Sequence, residues 1–351
     1  MPSKRNATGK SSQANGPNLK ELAAHLGLSQ TTVSRVLNQS GTTHRIAAET
    51  QRRVLAAAVT LNYNPNVFAR GLRSKRSYTV GVIVPEISEG YSTTVLGGIE
   101  DVLLLAGFFY FVVSHRHRAE LLLEYPRLLV SRAVEGIIAV DSSLEEESPV
   151  PVVAVSSHER RRSVLNIELD HLLAAHYALD HLYKLGHRKI AFIKGQSFSS
   201  DTRPRWKAIC TVAADLGITV DPRLTVQLVG TGHGTELGRA AAVELIERGH
   251  SFTAIFAFND LSAIGAITAL HDAGMQVPAQ VSVVGFDDIL AAATNNPALT
   301  TVRQPLHEMG CTAATTLLQL IQGEPQDRPK GPIRVLPTFV ERQSTSVPPK
   351  R

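Results

Sequence analysis

Gln30, Thr31, Ser34 and Arg35 fall at i, i+1, i+4 and i+5 within the segment Ser29–Asn38, and their side chains share one chemistry. All present hydrogen-bonding groups suited to base edges or phosphate oxygens rather than to core packing. Val33, Val36 and Leu37 lie between them as the apolar stripe of a helix, and Ser29 is placed to cap it. The stretch before it repeats the logic: Leu19, Leu22, Ala23 and Leu26 form one apolar face. Asn18 and Glu21 have the spacing of a capping box, and Gly27 supplies a turn. Two short helices about a glycine turn make a helix-turn-helix pattern, whose chemistry is the reading of nucleic acid.

Other constellations carry less. Gly230-Thr-Gly-His-Gly is glycine-rich but lacks the spacing and βαβ setting of a phosphate cradle, so it reads as a turn. His115 and His117 could pair on a metal, but no second ligand pair follows, and a loop with no metal is expected. His158–Arg162 is a charge run expected on a solvated surface. Cys210 and Cys311 have neither CxxC nor zinc spacing and are expected as buried small hydrophobes in a reducing compartment. No nucleophile elbow or Ser/His/Asp arrangement is present, so neither enzymatic activity nor a cofactor is expected.

The 351 residues suffice for two or three domains. No apolar run approaches the ~18 residues of a membrane span, and the polar N-terminus has no apolar signal core, which together lead us to expect a cytoplasmic protein with no membrane partner. Charge is unevenly placed. Residues 1–76 hold 12 Lys and Arg against two acids, net +10, whereas the remainder holds 24 against 29, net −5. The basic excess coincides with the helix-turn-helix, the electrostatic footprint of a nucleic-acid reader.

The elements that must position these groups follow from periodicity. Residues 1–17 have the composition of a disordered basic arm. A third helix is expected over Ala47–Leu61, with Val54, Ala58 and Leu61 closing a small core. Asn66–Arg73 reads as a marginal two-turn helix containing Gly71. From Tyr78 onward, strands alternate with amphipathic helices. Strands are expected at Thr79–Val84, Phe108–Val113, Gly136–Val140, Val152–Val155, Lys189–Ile193, Leu224–Val229, Ala254–Phe258 and Val281–Gly285. Helices are expected at Ser92–Ala106, Ala119–Ser131, His171–Leu185, Arg205–Leu216, Glu236–Arg248 and Leu261–Ala273. This alternation specifies α/β units with parallel sheets, and two in succession place a ligand crevice beyond the carboxyl ends of their strands.

At this point the motifs identify a resemblance to the lactose-repressor-like (LacI/GalR) regulators. They are Thr31-Thr-Val-Ser-Arg-Val-Leu-Asn38, Leu61-Asn-Tyr-Asn-Pro-Asn66, Ala69-Arg70, Leu72, Val80-Gly-Val-Ile-Val-Pro85, Leu185-Gly-His-Arg188, Phe258-Asn-Asp260, Val283-Val-Gly-Phe-Asp-Asp288 and Leu299-Thr-Thr-Val-Arg-Gln-Pro305. The resemblance runs from Asn18 to about Val340. It implies an all-α helix-turn-helix head joined to an α/β core of two doubly wound, periplasmic-binding-protein-like subdomains. The expected organisation is a basic arm (1–17), DNA-binding head (18–62), hinge helix and linker (63–77), core (78–342) and tail (343–351). Within the core, the first subdomain is expected at about 78–174 and 305–333, and the second at about 175–302 and 334–342.

The resemblance further implies a homodimeric repressor on pseudo-palindromic double-stranded operator DNA. Gln30, Thr31 and Arg35 would read bases, while Asn18, Thr32, Ser34, Asn38 and Tyr63 would contact phosphates. Thr32 and Ser34 could equally serve only to cap or pack their helix. Asn66, Ala69, Arg70 and Leu72 match the hinge helix, with Leu72 at the position of the minor-groove wedge. The loop Gln39–Ala48 is about three residues longer than usual and is expected to be solvated.

The same resemblance implies a small-molecule effector, sugar-like, between the subdomains. Arg205, Asn259, Asp287 and Gln304 would line its site, with Tyr91 and His233 at variable positions. Arg205 would offer a fork to a hydroxyl or carboxylate, Asp287 would take two hydroxyls, and Trp206 is expected in the core. Here Glu86-Ile-Ser-Glu-Gly-Tyr-Ser92 replaces the usual Asp-Ile-Ser-Asn-Pro-Phe-Phe, which puts the usual ligands in doubt. The rivals are a purine- or nucleoside-responsive regulator, a regulator whose cleft binds nothing, and a transport-type sugar-binding protein without a DNA role. The last leaves residues 18–73 unexplained. The tail lacks leucine heptads, so a dimer rather than a coiled-coil tetramer is expected.

Overall fold

The computed structural model describes residues 17–37, 45–63, 76–88, 90–144, 146–157, 163–323 and 331–350. The chain divides into a head, 1–77, and a core, 78–351. The basic arm, most of the loop Gln39–Ala48, the hinge segment Asn66–Arg73 and the charge run His158–Arg162 lie outside the described residues.

In the head, α1 (Leu19–Leu26), α2 (Gln30–Leu37) and α3 (Ala48–Thr60) close on Leu22, Ala23, Val33, Val36 and Val54. Gly27 ends α1 at φ 67°, a left-handed conformation that a side chain would strain, and its N–H returns to the last turn of α1. Leu26, Leu37, Ala58, Leu61 and Tyr63 pack around the rim.

The core contains two six-stranded sheets. The first comprises β1 (Thr79–Val84), β2 (Phe109–Ser114), β3 (Gly136–Val140), β4 (Val152–Val155), β5 (Val164–Leu169) and β11 (Ile333–Val335), in the order β11-β5-β4-β3-β1-β2 and wholly parallel. The second comprises β6 (Ile190–Lys194), β7 (Thr225–Gln227), β8 (Ala254–Ala257), β9 (Ser282–Asp287), β10 (Thr300–Arg303) and β12 (Thr338–Val340). Its order is β12-β10-β9-β8-β6-β7, parallel except for the β10–β12 pair. The helices are α4 (Gly90–Leu105), α5 (Ala119–Ser131), α6 (His171–Lys184), α7 (Thr202–Asp215), α8 (Gly234–Glu247), α9 (Asp260–Asp272), α10 (Leu290–Thr294) and α11 (Leu306–Gln322). The chain passes between the sheets three times: after β5, after β10, and between β11 and β12.

This is the expected two-sheet α/β architecture, with corrections at its edges. Elements β5, β10, β11, β12, α10 and α11 go unmarked by the alternation, and β7 is shorter than expected. An edge strand is paired on one side only, and Val229 beyond it is 81% exposed. Because β11 pairs with β5, residues 334 and 335 lie in the first sheet, not the second. Cys210 and Cys311 are half-exposed rather than buried, each flanking the packed stripe of its helix.

Each lobe has a helix pair interlocked through reciprocal glycines. A Cβ on Gly98 of α4 would stand 2.0 Å from His307 O, and one on Gly310 of α11 would stand 2.1 Å from Val95 O. The second lobe repeats the device: Gly238 of α8 meets Ser262 O at 2.3 Å, and Gly265 of α9 meets Thr235 O at 2.0 Å. These close crossings hold the helices that flank each sheet and so fix the strand ends that carry the cleft.

Candidate functional site: reading face and interlobe cleft

The head positions its polar face through two caps. Asn18 Oδ1 accepts from the N–H groups of Lys20 and Glu21, each at 3.0 Å, and Glu21 Oε2 accepts from Asn18 N–H at 2.8 Å. Ser29 Oγ accepts from Thr32 N–H at 3.1 Å and lies 2.8 Å from Thr32 Oγ1. The Thr32 hydroxyl therefore helps cap α2, as the packing alternative anticipates. Gln30, Thr31 and Arg35 are exposed, and Ser34 is half-buried. With Val33 and Val36 buried beneath them, these side chains occupy the outward face of α2. Tyr63 packs on the head's core, its N–H bonded to Ala58 O at 2.8 Å. Asn38, Asn66, Ala69, Arg70 and Leu72 lie outside the described residues.

In the core, a cleft opens at the carboxyl ends of both sheets, where open parallel sheets bind ligands. Glu86 follows β1, His117 follows β2, Asp141 follows β3, Phe198 and Asp201 follow β6, Asn259 follows β8 and Asp287 ends β9. Tyr91 and Ser92 of α4 and Arg205 of α7 complete the wall. Non-glycine residues with positive φ gather at the same ends: Arg116 (50°), His117 (58°), Asp141 (40°), Ser156 (58°), Asp287 (109°) and Asp288 (59°). Left-handed backbone at side-chain-bearing residues is strained, and strain concentrated around a cleft marks a functional site.

Arg205 organises the floor. Its Nη1 donates to Phe258 O at 2.6 Å and its Nη2 to Asp201 Oδ2 at 2.8 Å. The guanidinium also lies over the rings of Phe286 (3.7 Å) and Phe258 (4.5 Å). His171 Nε2 stands 3.3 Å from Asp201 Oδ1. Asp287 Oδ1 accepts from Gln304 Nε2 at 2.6 Å. Arg205 Nε and Gln304 Oε1 are among the buried polar atoms of the described residues that have no hydrogen-bond partner. Asn259 Oδ1 caps α9 by accepting from Ser262 N–H at 2.9 Å, so its amide NH2 is the end left for a ligand.

The lobes meet across this cleft. Ser200 N–H donates to Asp141 Oδ1 (3.1 Å) and Ser199 Oγ to Asp141 Oδ2 (3.3 Å). Ser200 Oγ also reaches Asp141 and the Ser156 carbonyl. His117 stacks on Phe198, 4.5 Å between ring centres. Tyr91 donates its hydroxyl to Ser156 Oγ at 3.1 Å. Burial, reinforced by Asp201, pushes the Asp141 carboxyl up to about 7. Burial also raises Asp287 well above the ordinary carboxylate range, although Arg205 opposes it. Beneath the floor, buried Asp260 rises to about 7 while accepting from Thr301 Oγ1 (2.5 Å) and Ile289 N–H (2.9 Å). Burial lowers His117, so its ring tends to stay neutral.

Of the six expected effector residues, Tyr91, Arg205, Asn259 and Asp287 line the cleft. Gln304 reaches it through Asp287. His233 is exposed at the N-cap of α8, while its neighbours Gly232 and Gly234 line the wall. Asp141, Asp201, His117, Phe198, Ser199 and Ser200 are additions. Trp206 packs edge-on against Phe192, 5.7 Å between ring centres, on the core side. His115 is buried with Nε2 3.0 Å from Ser142 Oγ. Among the described residues, no group of three or more His, Cys, Asp or Glu is arranged to hold a metal ion. Among them, too, no helix is long and apolar enough to cross a membrane.

A helix-turn-helix head on a two-lobed, cleft-bearing core defines a class of DNA-binding regulators, and the comparisons with known proteins agree. Residues 18–66 match the model of bacterial regulatory proteins of the lacI family, and residues 179–345 match that of a periplasmic binding protein-like domain. The transcriptional regulator DegA of Bacillus subtilis is 32% identical over 336 residues, covering 93% of this chain and 97% of DegA. A lac repressor dimer bound to operator and the anti-inducer ONPF superposes with a TM-score of 0.83 at 26% identity, covering 95% of this chain and 100% of that one. A CelR–cellobiose complex gives 0.68 at 27% identity, covering 93% and 99%. The chain belongs to the lacI family of bacterial regulatory proteins and is a DNA-binding transcriptional regulator.

Proposed function

We propose that the chain is a repressor that binds a pseudo-palindromic operator as a homodimer and is controlled by a small polyhydroxylated effector in the interlobe cleft. The observation that carries this reading is the cleft itself. Its walls come from both lobes, so a ligand there has different contacts whenever the lobes change angle, and that differential affinity is what a switch requires. The relatives supply the rest by analogy: one solved neighbour is a dimer on operator DNA and another holds cellobiose.

On this reading, residues 18–62 are the DNA-binding head and 63–77 the hinge and linker. Gln30, Thr31 and Arg35 read bases, with Arg35 suited to guanine O6/N7 and Gln30 to adenine. Asn18, Thr32, Ser34, Asn38 and Tyr63 contact phosphates. Asn66, Ala69 and Arg70 place Leu72 in the minor groove, where an apolar wedge kinks the duplex. Tyr91, Arg205, Asn259, Asp287 and, through Asp287, Gln304 hold the effector. Dimerisation is supported by an apolar edge on the first lobe: Phe109 of edge strand β2 is 64% exposed, and Leu105 ending α4 is 92% exposed. No catalytic role is proposed, and the protein acts in the cytoplasm.

Selection of bound DNA from random sequence by the full-length protein tests this. Two inverted half-sites are expected, and a ligand screen covering sugars, nucleosides and purines should yield one class that shifts both thermal stability and operator affinity. Enrichment of a single asymmetric site would overturn the dimeric reading. Ligand binding with operator affinity unchanged would overturn the switch, and a purine or nucleoside hit would move the assignment to that ligand class.

A further inference from the structure

The cleft's ionic groups are unbalanced in a way that selects a ligand by charge. Its described lining contains four carboxylates, Glu86, Asp141, Asp201 and Asp287, against the single guanidinium of Arg205. Arg205 is also occupied: Nη1 is bonded to Phe258 O, Nη2 to Asp201, and its faces to Phe258 and Phe286. Two of its five N–H donors are used in this way and its charge is matched by Asp201, so a ligand carboxylate or phosphate finds no unpaired cation there. Its Nε is a buried donor with no partner, on a side chain only 4% exposed, which suits one neutral oxygen such as a hydroxyl. Asp201 is neutralised by Arg205. Asp141 accepts from Ser199 and Ser200, and Asp287 from Gln304, all neutral donors. An anion entering the cleft meets two acidic groups, Asp141 and Asp287, that no cation pairs directly, and would keep them protonated, whereas an ammonium group would pair with their ionised forms.

We propose that the effector is an amine-bearing polyol, an amino sugar or aminocyclitol, with a hydroxyl on Arg205 Nε and its ammonium group between Asp141 and Asp287. This rests on the reading of the cleft as the effector site. Of the hydroxyl and the carboxylate expected as partners of Arg205, it keeps the hydroxyl.

The test is calorimetric titration of the full-length protein with matched triads: the 2-amino sugar, the neutral sugar and the uronic acid of glucose, galactose and mannose. In the triad whose ring fits, the amine is expected to bind at least about tenfold tighter than the neutral sugar, the scale of a charge-assisted hydrogen bond, and the acid most weakly. In Asp141→Asn, with folding confirmed by circular dichroism, the amine-to-neutral ratio should shrink towards one. Equal binding of neutral and amine members, or tighter binding of the acid, overturns the charge selection while leaving the effector site standing. Absence of binding by all nine compounds overturns the amino-sugar assignment and leaves the effector site to the wider ligand screen.

Discussion

Ser200 donates its backbone N–H to Asp141 Oδ1 at 3.1 Å, joining the loop after β6 in the second lobe to the end of β3 in the first. The acceptor is a carboxyl that burial and Asp201 hold near 7, against an ordinary 3.8. Between these values the folded core binds a proton that the unfolded chain does not, so this group favours folding at low pH and the advantage disappears as pH rises through 7. Asp260 adds a term of the same sign. Buried histidines such as His115 and His117, held below their ordinary value, act with the opposite sign below about pH 6.5, so the difference is the test: the melting temperature of the wild type relative to Asp141→Asn should fall as pH rises from 5 to 8. Melting temperatures of variant and wild type that run parallel over this interval would refute the assignment.

Asp201 and Arg205, one helical turn apart, are both buried, and Arg205 is the residue on which the floor of the cleft converges. Arg205→Ala removes the guanidinium and leaves the buried Asp201 carboxyl with the weaker contact to His171 Nε2 at 3.3 Å. Loss of one member of such a pair costs about 3–5 kcal/mol. Denaturant unfolding of the core should show a loss on that scale, with ligand binding abolished. Unchanged stability would mean that the pair is solvated in solution.

How far the chain disclosed this arrangement in advance differs by element. The head was legible because caps, turn glycine and apolar stripe all lie within twenty residues, and each is a local signal. The alternation over 78–285 revealed both sheets for the same reason. Helix α11 escaped because its buried stripe contains small residues, Gly310, Ala313 and Ala314, that carry little hydrophobic signal. Strands β11 and β12 escaped because three residues show no period. In the cleft, Asn259 and Asp287 lie within motifs and Arg205 follows from its position in the resemblance, whereas Asp141 and Ser200 do not follow from either. They are 59 residues apart and acquire meaning only when folding brings them together. Asp201 was the exception that could have been found, since an Asp four residues before an Arg on one helix is a recognised pairing.

The apolar edge of the first lobe gives a test of assembly. Phe109 and Phe111 alternate outward on β2, their rings 5.5 Å apart and edge-on. Phe109→Glu places a charge on that face without touching the buried core. If the edge joins two copies, sedimentation should show a shift from dimer towards monomer and operator affinity should drop with it. An unaltered dimer would place the interface elsewhere.

On the head, Arg35 and Lys20 separate sequence reading from simple charge. Both are exposed, Arg35 on α2 and Lys20 in the first turn of α1. Arg35→Ala should weaken specific operator binding by about 1–3 kcal/mol and relax the preference at one base position. Lys20→Ala should weaken binding evenly across sequences and make the salt dependence shallower. Equal losses at specific and random DNA for Arg35→Ala would remove it from the set of base readers.

Neighbouring glycines on α4 make the sharpest packing test, because they differ in what lies above them. A Cβ at Gly97 would meet only His307 Cδ2 at 3.8 Å, an ordinary contact. At Gly98 it would stand 2.0 Å from the His307 carbonyl and 2.9 Å from Cys311 N, both backbone atoms of α11 that cannot rotate away. Gly97→Ala should therefore be neutral or stabilising by up to about 1 kcal/mol, through helix propensity alone. Gly98→Ala must push α4 and α11 apart and should cost about 1–3 kcal/mol, as overpacking does. Since α11 also packs on β3 and β4, at whose ends Asp141 and Ser156 sit, the shift should reach the interlobe hydrogen bonds as well. Equal melting temperatures for the two variants would show that the helices are not in close register at Gly98.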